Sequence, residues 1–281
     1  MMDLIDLRDT PPWDWPRDAV KTFAKVLKNR QAKPADRLIA ADLAGDFTAI
    51  NDDLAHILLA LVQDNSEPDE LRSHAVISFG AALQTASEEF DDELNGFDDE
   101  EMVPISLPVF LEIRGALKRL YEDRSIPKGV RRRILEASVR AEEEWHENAI
   151  REAYASGDRE WVLTAVFAMR FVPGFEAEVL KALKSTDPEI HREAVLAAGA
   201  KELDEAWPHV FALAQDEKID KDLRVAAIEA IGSIRPSEAQ ELLFGLRGSD
   251  DEEISEAAAE ALSLMPSGDY DEVEDEEEEE E

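Results

Sequence analysis

With 281 residues, 44% of them hydrophobic, the chain is long enough to bury a sizeable core, yet no apolar run reaches the roughly 18 residues that span a bilayer. Asp and Glu number 66 against 30 Lys and Arg, a formal net charge of -36; such a surface repels the phosphates of DNA, RNA and anionic lipid. The absence of cysteine excludes disulfides, thiolate metal sites and cysteine nucleophiles.

The run Asp269–Glu281 holds 11 acids and no bases, which leaves -25 on the preceding 268 residues. The body is therefore acidic in its own right. These totals predict a protein partner that is basic or cationic, no nucleic-acid partner and no membrane partner. Solubility and adaptation to a salty cytoplasm are competing reasons for the same acidity. The opening "MMDLIDLRDT" has neither a basic start nor an apolar signal core, which predicts a cytoplasmic location.

In chain order, residues 1–15 read as an extended N-terminal cap. "PPWDWP" (Pro11–Pro16) is Pro-stiffened, and Trp13 and Trp15 are expected to cover the open apolar end of the first hairpin. An exposed peptide ligand is the alternative. "PRDAVKTFAKVLKNR" carries Val20, Phe23, Ala24 and Leu27 on one helical face. "PADRLIAADLAG" answers it and ends at Gly45. "NDDLAHILLALVQD", capped by Asn51, pairs with "PDELRSHAVISFGAAL". An acidic insertion over 87–106 follows. "LPVFLEIRGALKRLYED" then pairs with "PKGVRRRILEASVRA", and "WHENAIREAYAS" with "DREWVLTAVFAMRF".

The last units are the most regular. "GFEAEVLKALKS" precedes "DPEIHREAVLAAGA", "DEAWPHVFALAQ" precedes "KDLRVAAIEAIGS", and "SEAQELLFGLRG" precedes "DEEISEAAAEALSLM". Asp187 with Pro188 is an N-cap followed by Pro at the first helical position. Gly174, Gly199, Gly232 and Gly248 are placed at or near helix ends, where a left-handed C-cap excludes a side chain. The segment 267–281, almost without apolar residues and strongly self-repelling, is expected to be disordered.

The aliphatic or aromatic residue that opens each second helix falls at Leu71, Val130, Trp161, Ile190, Leu223 and Ile254, with gaps of 59, 31, 29, 33 and 31. The insertion accounts for the first gap. A hairpin with one apolar face cannot bury it alone, so repeated hairpins stack. The residues recur because each copy presents the same two faces to its neighbours.

These units, from about Asn51 to Met265, resemble HEAT repeats, especially the short bacterial kind related to those of phycobilin lyases. The resemblance implies an all-α fold: a right-handed α-solenoid of about seven antiparallel helical hairpins, of the HEAT-like or armadillo-like superhelical type, over residues 16–266. The family places an Arg just after the aliphatic opener. Arg72, Arg131 and Arg224 hold that place, whereas Val162, His191 and Ser255 interrupt the ladder. The resemblance implies architecture and little chemistry.

No residue is assigned a catalytic, cofactor-binding or metal-binding role. His56, His74, His146, His191 and His209 form no close pair with metal-ligand spacing in the sequence, and are expected at surface or core-edge positions. In "DDELNGFDDEEM", Asp91, Glu93, Asn95 and Gly96 match part of a calcium loop, but Met102 stands where a bidentate Glu belongs. A solvated acidic insertion fits better. Arg131, Arg132, Arg133 and Arg140 are expected to pair with nearby glutamates, the alternative being a basic spot for an acidic partner. The sequence therefore predicts a non-enzymatic interaction scaffold without cofactor. The alternatives are an accessory or lyase-like enzyme of the bilin-lyase type, an acidic charge mimic or chaperone for basic proteins, and a glycosylase-like nucleic-acid enzyme, which the charge opposes.

Overall fold

The computed structural model describes residues 2–95 and 103–265, and every regular element among them is helical. The chain divides into two compact units, Met1–Val172 and Pro173–Glu281.

The first unit contains α1 (Leu4–Arg8), α2 (Ala19–Lys28), α3 (Pro34–Ala44), α4 (Asp52–Gln63), α5 (Asp69–Ile77), α6 (Gly80–Asn95), α7 (Leu107–Glu122), α8 (Lys128–Ser138), α9 (Glu144–Ala155) and α10 (Arg159–Ala168). Its hairpins are α2/α3, α4/α5, α7/α8 and α9/α10, and the second helices α3, α5, α8 and α10 pack in succession. The second unit contains α11 (Glu176–Ala182), α12 (Pro188–Ala200), α13 (Trp207–Gln215), α14 (Lys221–Ile234), α15 (Pro236–Leu246) and α16 (Glu252–Leu264). These form three hairpins in which α14 lies between α12 and α16. Among the described residues the two units hold four and three helical hairpins, an all-α fold of the solenoid type that the periodicity predicts.

The apolar stripes account for the stacking. Phe23 and Leu27 of α2, Leu54 and Leu58 of α4, and Ile228 and Ile231 of α14 are fully buried. The predicted N-caps form. Asn51 Oδ1 accepts from the Leu54 N–H at 3.0 Å, and Asp187 Oδ1 from those of Glu189 and Ile190 at 3.1 and 3.3 Å. Caps of this kind are worth about 1 kcal/mol each.

The interrupted arginine ladder has a structural cause: the hairpins close in two ways. In four of them the first helix ends on Asn29, Asp64, Asp123 or Asp216, each with an extended backbone. The side-chain oxygen of that residue accepts the N–H two positions on, at 2.8–3.0 Å. An open helix end needs a donor for its carbonyls, and an arginine eight residues further on supplies it. Arg37 donates to Leu27 O at 2.9 Å, Arg72 to Val62 O at 2.9 Å, Arg131 to Tyr121 O at 2.7 Å and Arg224 to Ala214 O at 3.1 Å.

The other three hairpins end their first helix in the right-handed helical region, at Ser156, Leu183 and Arg247. Tightened turns there satisfy the last carbonyls, as in Ser185 N–H to Ala182 O at 2.9 Å and Ser249 N–H to Leu246 O at 2.9 Å. Ser156, Ser185 and Ser249 each accept the N–H of the Asp two positions on, at 3.1–3.2 Å. Val162 and His191 therefore stand where the backbone has already done the work of an arginine, and in the last hairpin the Ser255 hydroxyl donates to Arg247 O at 2.7 Å.

Three glycine assignments are corrected: Gly199, Gly232 and Gly248 lie near helix ends as expected but do not adopt the left-handed region. Gly199 and Gly232 lie inside α12 and α14, where they allow close helix approach. A Cβ on Gly199 would sit 2.7 Å from Ala230 Cβ, and one on Gly232 would sit 3.2 Å from Ala261 O. Gly174 does adopt the left-handed region, at φ 81°.

The lead segment, expected to be extended, contains α1, whose Leu4 and Leu7 are buried. Trp15 serves as part of the cap: its indole N–H donates to Leu7 O at 2.8 Å and Thr10 O at 2.9 Å, and its ring meets Phe23 edge-on at 5.3 Å. Trp13 does not, being 78% exposed. The segment read as one helix up to Leu83 breaks at Ser78–Phe79. α6 then runs on through Asn95, held against α7 by a Phe90–Phe110 ring contact at 5.4 Å. The rest of the calcium-loop comparison, Gly96–Met102, and the acidic segment 267–281 lie outside the described residues.

Candidate interaction surfaces

The arginine-rich α8 is consumed internally. The Arg131 guanidinium, besides closing its hairpin, lies 5.0 Å from the Tyr121 ring centre and 5.4 Å from that of Trp161. Buried Arg132 donates to Thr164 Oγ1 at 2.9 Å and to Glu160 Oε1 at 3.0 Å, while the Thr164 hydroxyl donates to Glu136 Oε1 at 2.6 Å. Arg133 pairs with the same Glu136. Arg140 packs against Phe167 and Phe171, 5.8 and 5.1 Å from their ring centres, and donates to Gln84 Oε1 at 3.1 Å. Burial and the neighbouring Arg170 push its guanidinium below its usual pKa. Arg131, Arg132, Arg133 and Arg140 thus tie helices together, partly through the expected glutamates.

The histidines gain partners that sequence spacing hides. His146 is fully buried. Its Nδ1 accepts from the Glu143 N–H at 2.9 Å, and Nε2 lies 3.0 Å from Ser138 Oγ. Burial, with smaller repulsions from Arg114 and Lys118, pushes its pKa down to about 3. His191 and His209 come together across α12 and α13, their Nε2 atoms 2.9 Å apart and their rings stacked. Burial lowers both pKa values, and for His191 the charge of His209 adds to the effect. At that distance one neutral ring donates to the other. The two residues are 18 positions apart in sequence and on different helices, so no spacing rule finds them. His74 Nδ1 lies 2.6 Å from Asp42 Oδ1, and His56 lies 3.3 Å from Glu112. Among the described residues, no group of three or more potential ligands is arranged to hold a metal ion.

The acidity is concentrated on identifiable helix faces. Residues 173–265 hold 21 acids against nine Lys and Arg. On α14, Asp222 and Glu229 are exposed, and on α16 so are Glu252, Glu253, Glu256 and Glu260. Lys221 neutralises part of this group, reaching Asp251 at 2.8 Å and Glu253 at 3.1 Å. Glu252, Glu256 and Glu260 recur every four residues, lie on one side of α16 and form no ion pair with a described residue.

No family model matches the chain, and no curated protein matches it. Among solved structures it is similar to YibA of Escherichia coli, with 16% identity over 93% of this chain and 85% of that one and a TM-score of 0.44. It is also similar to human deoxyhypusine hydroxylase in complex with glycerol, with 18% identity over 92% of this chain and 87% of that one and a TM-score of 0.37. The class is defined by the helices themselves: an all-α helical-repeat protein. No helix among the described residues is long and apolar enough to cross a membrane.

Proposed function

We propose that the chain is a non-enzymatic interaction scaffold built of HEAT-like repeats, and that the acidic second-helix face of residues 173–265 receives a basic protein partner. The supporting observation is the α16 stripe. Like charges four residues apart on a helix destabilise it by about 0.2–0.5 kcal/mol per pair, and Glu252, Glu256 and Glu260 make two such pairs without a neutralising partner among the described residues. Lys221 shows that this surface can neutralise carboxylates close by. A stripe left charged suits a ligand that brings the counter-charge, and such complementarity mainly sets partner choice and association rate.

The test uses the immobilised full chain and its E252K/E256K/E260K variant, offered native lysate at about 0.1 M and about 1 M salt, where the screening length falls roughly threefold. A basic protein should be retained by the unmodified chain at low salt, released at high salt and absent from the variant. Equal retention by both chains places recognition elsewhere, and a catalytic turnover detected in the purified chain overturns the scaffold reading.

A further inference from the structure

The first unit carries a basic feature that the acidic totals conceal. Lys21, Lys25 and Lys28 follow at intervals of four and three residues, which puts them on one side of α2, and Arg17 stands one turn before them. All four are exposed. Between residues 17 and 33, six basic residues meet one acid, Asp18, in a unit that holds 34 acids against 21 bases. Bases elsewhere in this unit are neutralised: Lys128 lies 2.7 Å from Asp158 and 2.6 Å from Glu160, and Arg37 lies 2.6 Å from Glu67. Lys21, Lys25 and Lys28 form no ion pair with any described residue.

Beside this row α2 and α4, both in the first unit, enclose a groove of about 640 Å³. Its lining is largely apolar, with Val20, Ala24 and Leu27 from α2 and Ile57, Ala60 and Leu61 from α4. Ala24 and Ala60 are too small to close the space. Val20, Ala24 and Ile57 stay half-buried and Ala60 exposed, so folding leaves apolar surface in contact with water. Lys21 and Lys28 line the α2 side. Of the carboxylates on the other side, Asp64 pairs with Arg30 and Glu67 with Arg37, whereas Asp53 has no ion pair with a described residue.

We propose that the α2–α4 groove receives an acidic amphipathic helix of a partner protein, its apolar side on the groove floor and its carboxylates along Lys21, Lys25 and Lys28. Charge complementarity selects the acid, and the apolar floor selects a ligand with an oily side. The spacing agrees. Lys21 to Lys28 covers about 11 Å at 1.5 Å per residue, the reach of a grooved helix from its anchor at i to that at i+7. A bilayer or a nucleic-acid duplex is too broad to enter between two helices, and its phosphates would also meet Asp53 and the acid excess of the unit. This surface selects the opposite charge from the acidic face of residues 173–265, and its test does not depend on that reading.

The experiment measures binding of a labelled synthetic helix of about 18 residues, about five turns, to the full chain by fluorescence anisotropy. The probe carries Leu at the i, i+3, i+4, i+7 spacing and Glu elsewhere. One control peptide has Gln in place of Glu, and a second has the same composition with the Leu residues scattered round the helix. At about 0.1 M salt the Glu probe should bind at least about tenfold more tightly than either control, and its advantage over the Gln peptide should shrink at about 1 M. Two variants altered at exposed positions separate the two parts of the contact. K21E/K25E/K28E should slow association about tenfold, as rim charges do. Ala60→Trp fills the groove and should speed dissociation about tenfold while leaving association nearly unchanged. Four results overturn the proposal: no binding of the Glu probe, equal binding of either control, binding that both variants leave unchanged, or tighter binding of anionic vesicles or duplex DNA than of the probe.

Discussion

Acidification should destabilise the first unit through His146, and the size of the effect follows from its surroundings. The Glu143 N–H points at Nδ1, so the ring is held neutral with its proton on Nε2, toward Ser138. A second proton would set Nδ1–H against that N–H in a fully buried site. The folded pKa of about 3 lies below the unfolded value near 6.5. Stability is therefore complete above the unfolded value and is lost as pH falls from about 6.5 toward 3. At pH 5 the unfolded chain is almost fully protonated at this site and the folded chain hardly at all, which removes about 2 kcal/mol; at pH 7.5 the loss is negligible. Urea unfolding followed by tryptophan fluorescence reports this unit, because Trp13, Trp15, Trp145 and Trp161 all lie in it. Carboxylates also titrate in this window, so the quantity to compare is the change between pH 7.5 and 5.0 in the natural chain and in His146→Gln. The natural chain should lose about 2 kcal/mol more than the variant. Equal losses in the two chains refute the assignment of a neutral buried ring.

Three further outcomes test the packing and the closures. Gly199→Ala drives a Cβ to 2.8 Å from Ala230 Cα and should cost about 1–3 kcal/mol, whereas Gly245→Ala in α15 meets nothing within 4 Å and should add about 0.5–1 kcal/mol; Trp207 fluorescence reads both in the second unit. Arg72→Met removes the donor to Val62 O from a residue only 2% exposed, and chemical denaturation should show a loss of about 2–3 kcal/mol; Ser255→Ala, which loses a neutral bond to Arg247 O, should cost about 1 kcal/mol or less. Trp15→Ala should lower the melting temperature of the first unit, with a cost of about 3 kcal/mol, while Trp13→Ala stays within about 0.5 kcal/mol.

The helices were legible because their signals are local. Asn51, Asp158, Asp187 and Asp220 announce helix starts within four residues of themselves, and the stripe Phe23–Leu27 repeats at the helical period. What the sequence concealed depends on neighbours far along the chain. Gly199 resembles a helix stop until α14 is placed against it. His191 and His209 meet only when α12 and α13 fold together. Arg37 sits in the weakest copy of the repeat, before Leu71 opens the clear period, yet it makes the same bond to its hairpin as Arg72, Arg131 and Arg224. The carbonyl, the Asx residue and the arginine stand at positions i, i+2 and i+10 in all four hairpins. A search for that spacing, rather than for the arginine alone, finds Arg37 from sequence.

The charged faces show a different limit. Arg17, Lys21, Lys25 and Lys28 have a helical spacing that is as plain in the sequence as any apolar stripe, but a net charge of -36 averages them away. Coulomb interactions are local in salt, since screening confines them to about 10 Å at 0.1 M. The relevant quantity is therefore the charge on one helix face after its internal ion pairs are removed. By that measure α8, with Arg131, Arg132 and Arg133, is nearly spent within the fold, while Lys21, Lys25 and Lys28 of α2 form no ion pair with a described residue. The same subtraction leaves Glu252, Glu256 and Glu260 on α16 and removes Glu253, which Lys221 holds. Unspent charge of both signs on separate helices is what a solubility argument alone does not explain: solubility asks only for acids, and a chain selected only for it has no reason to gather four of its 11 lysines between residues 21 and 33.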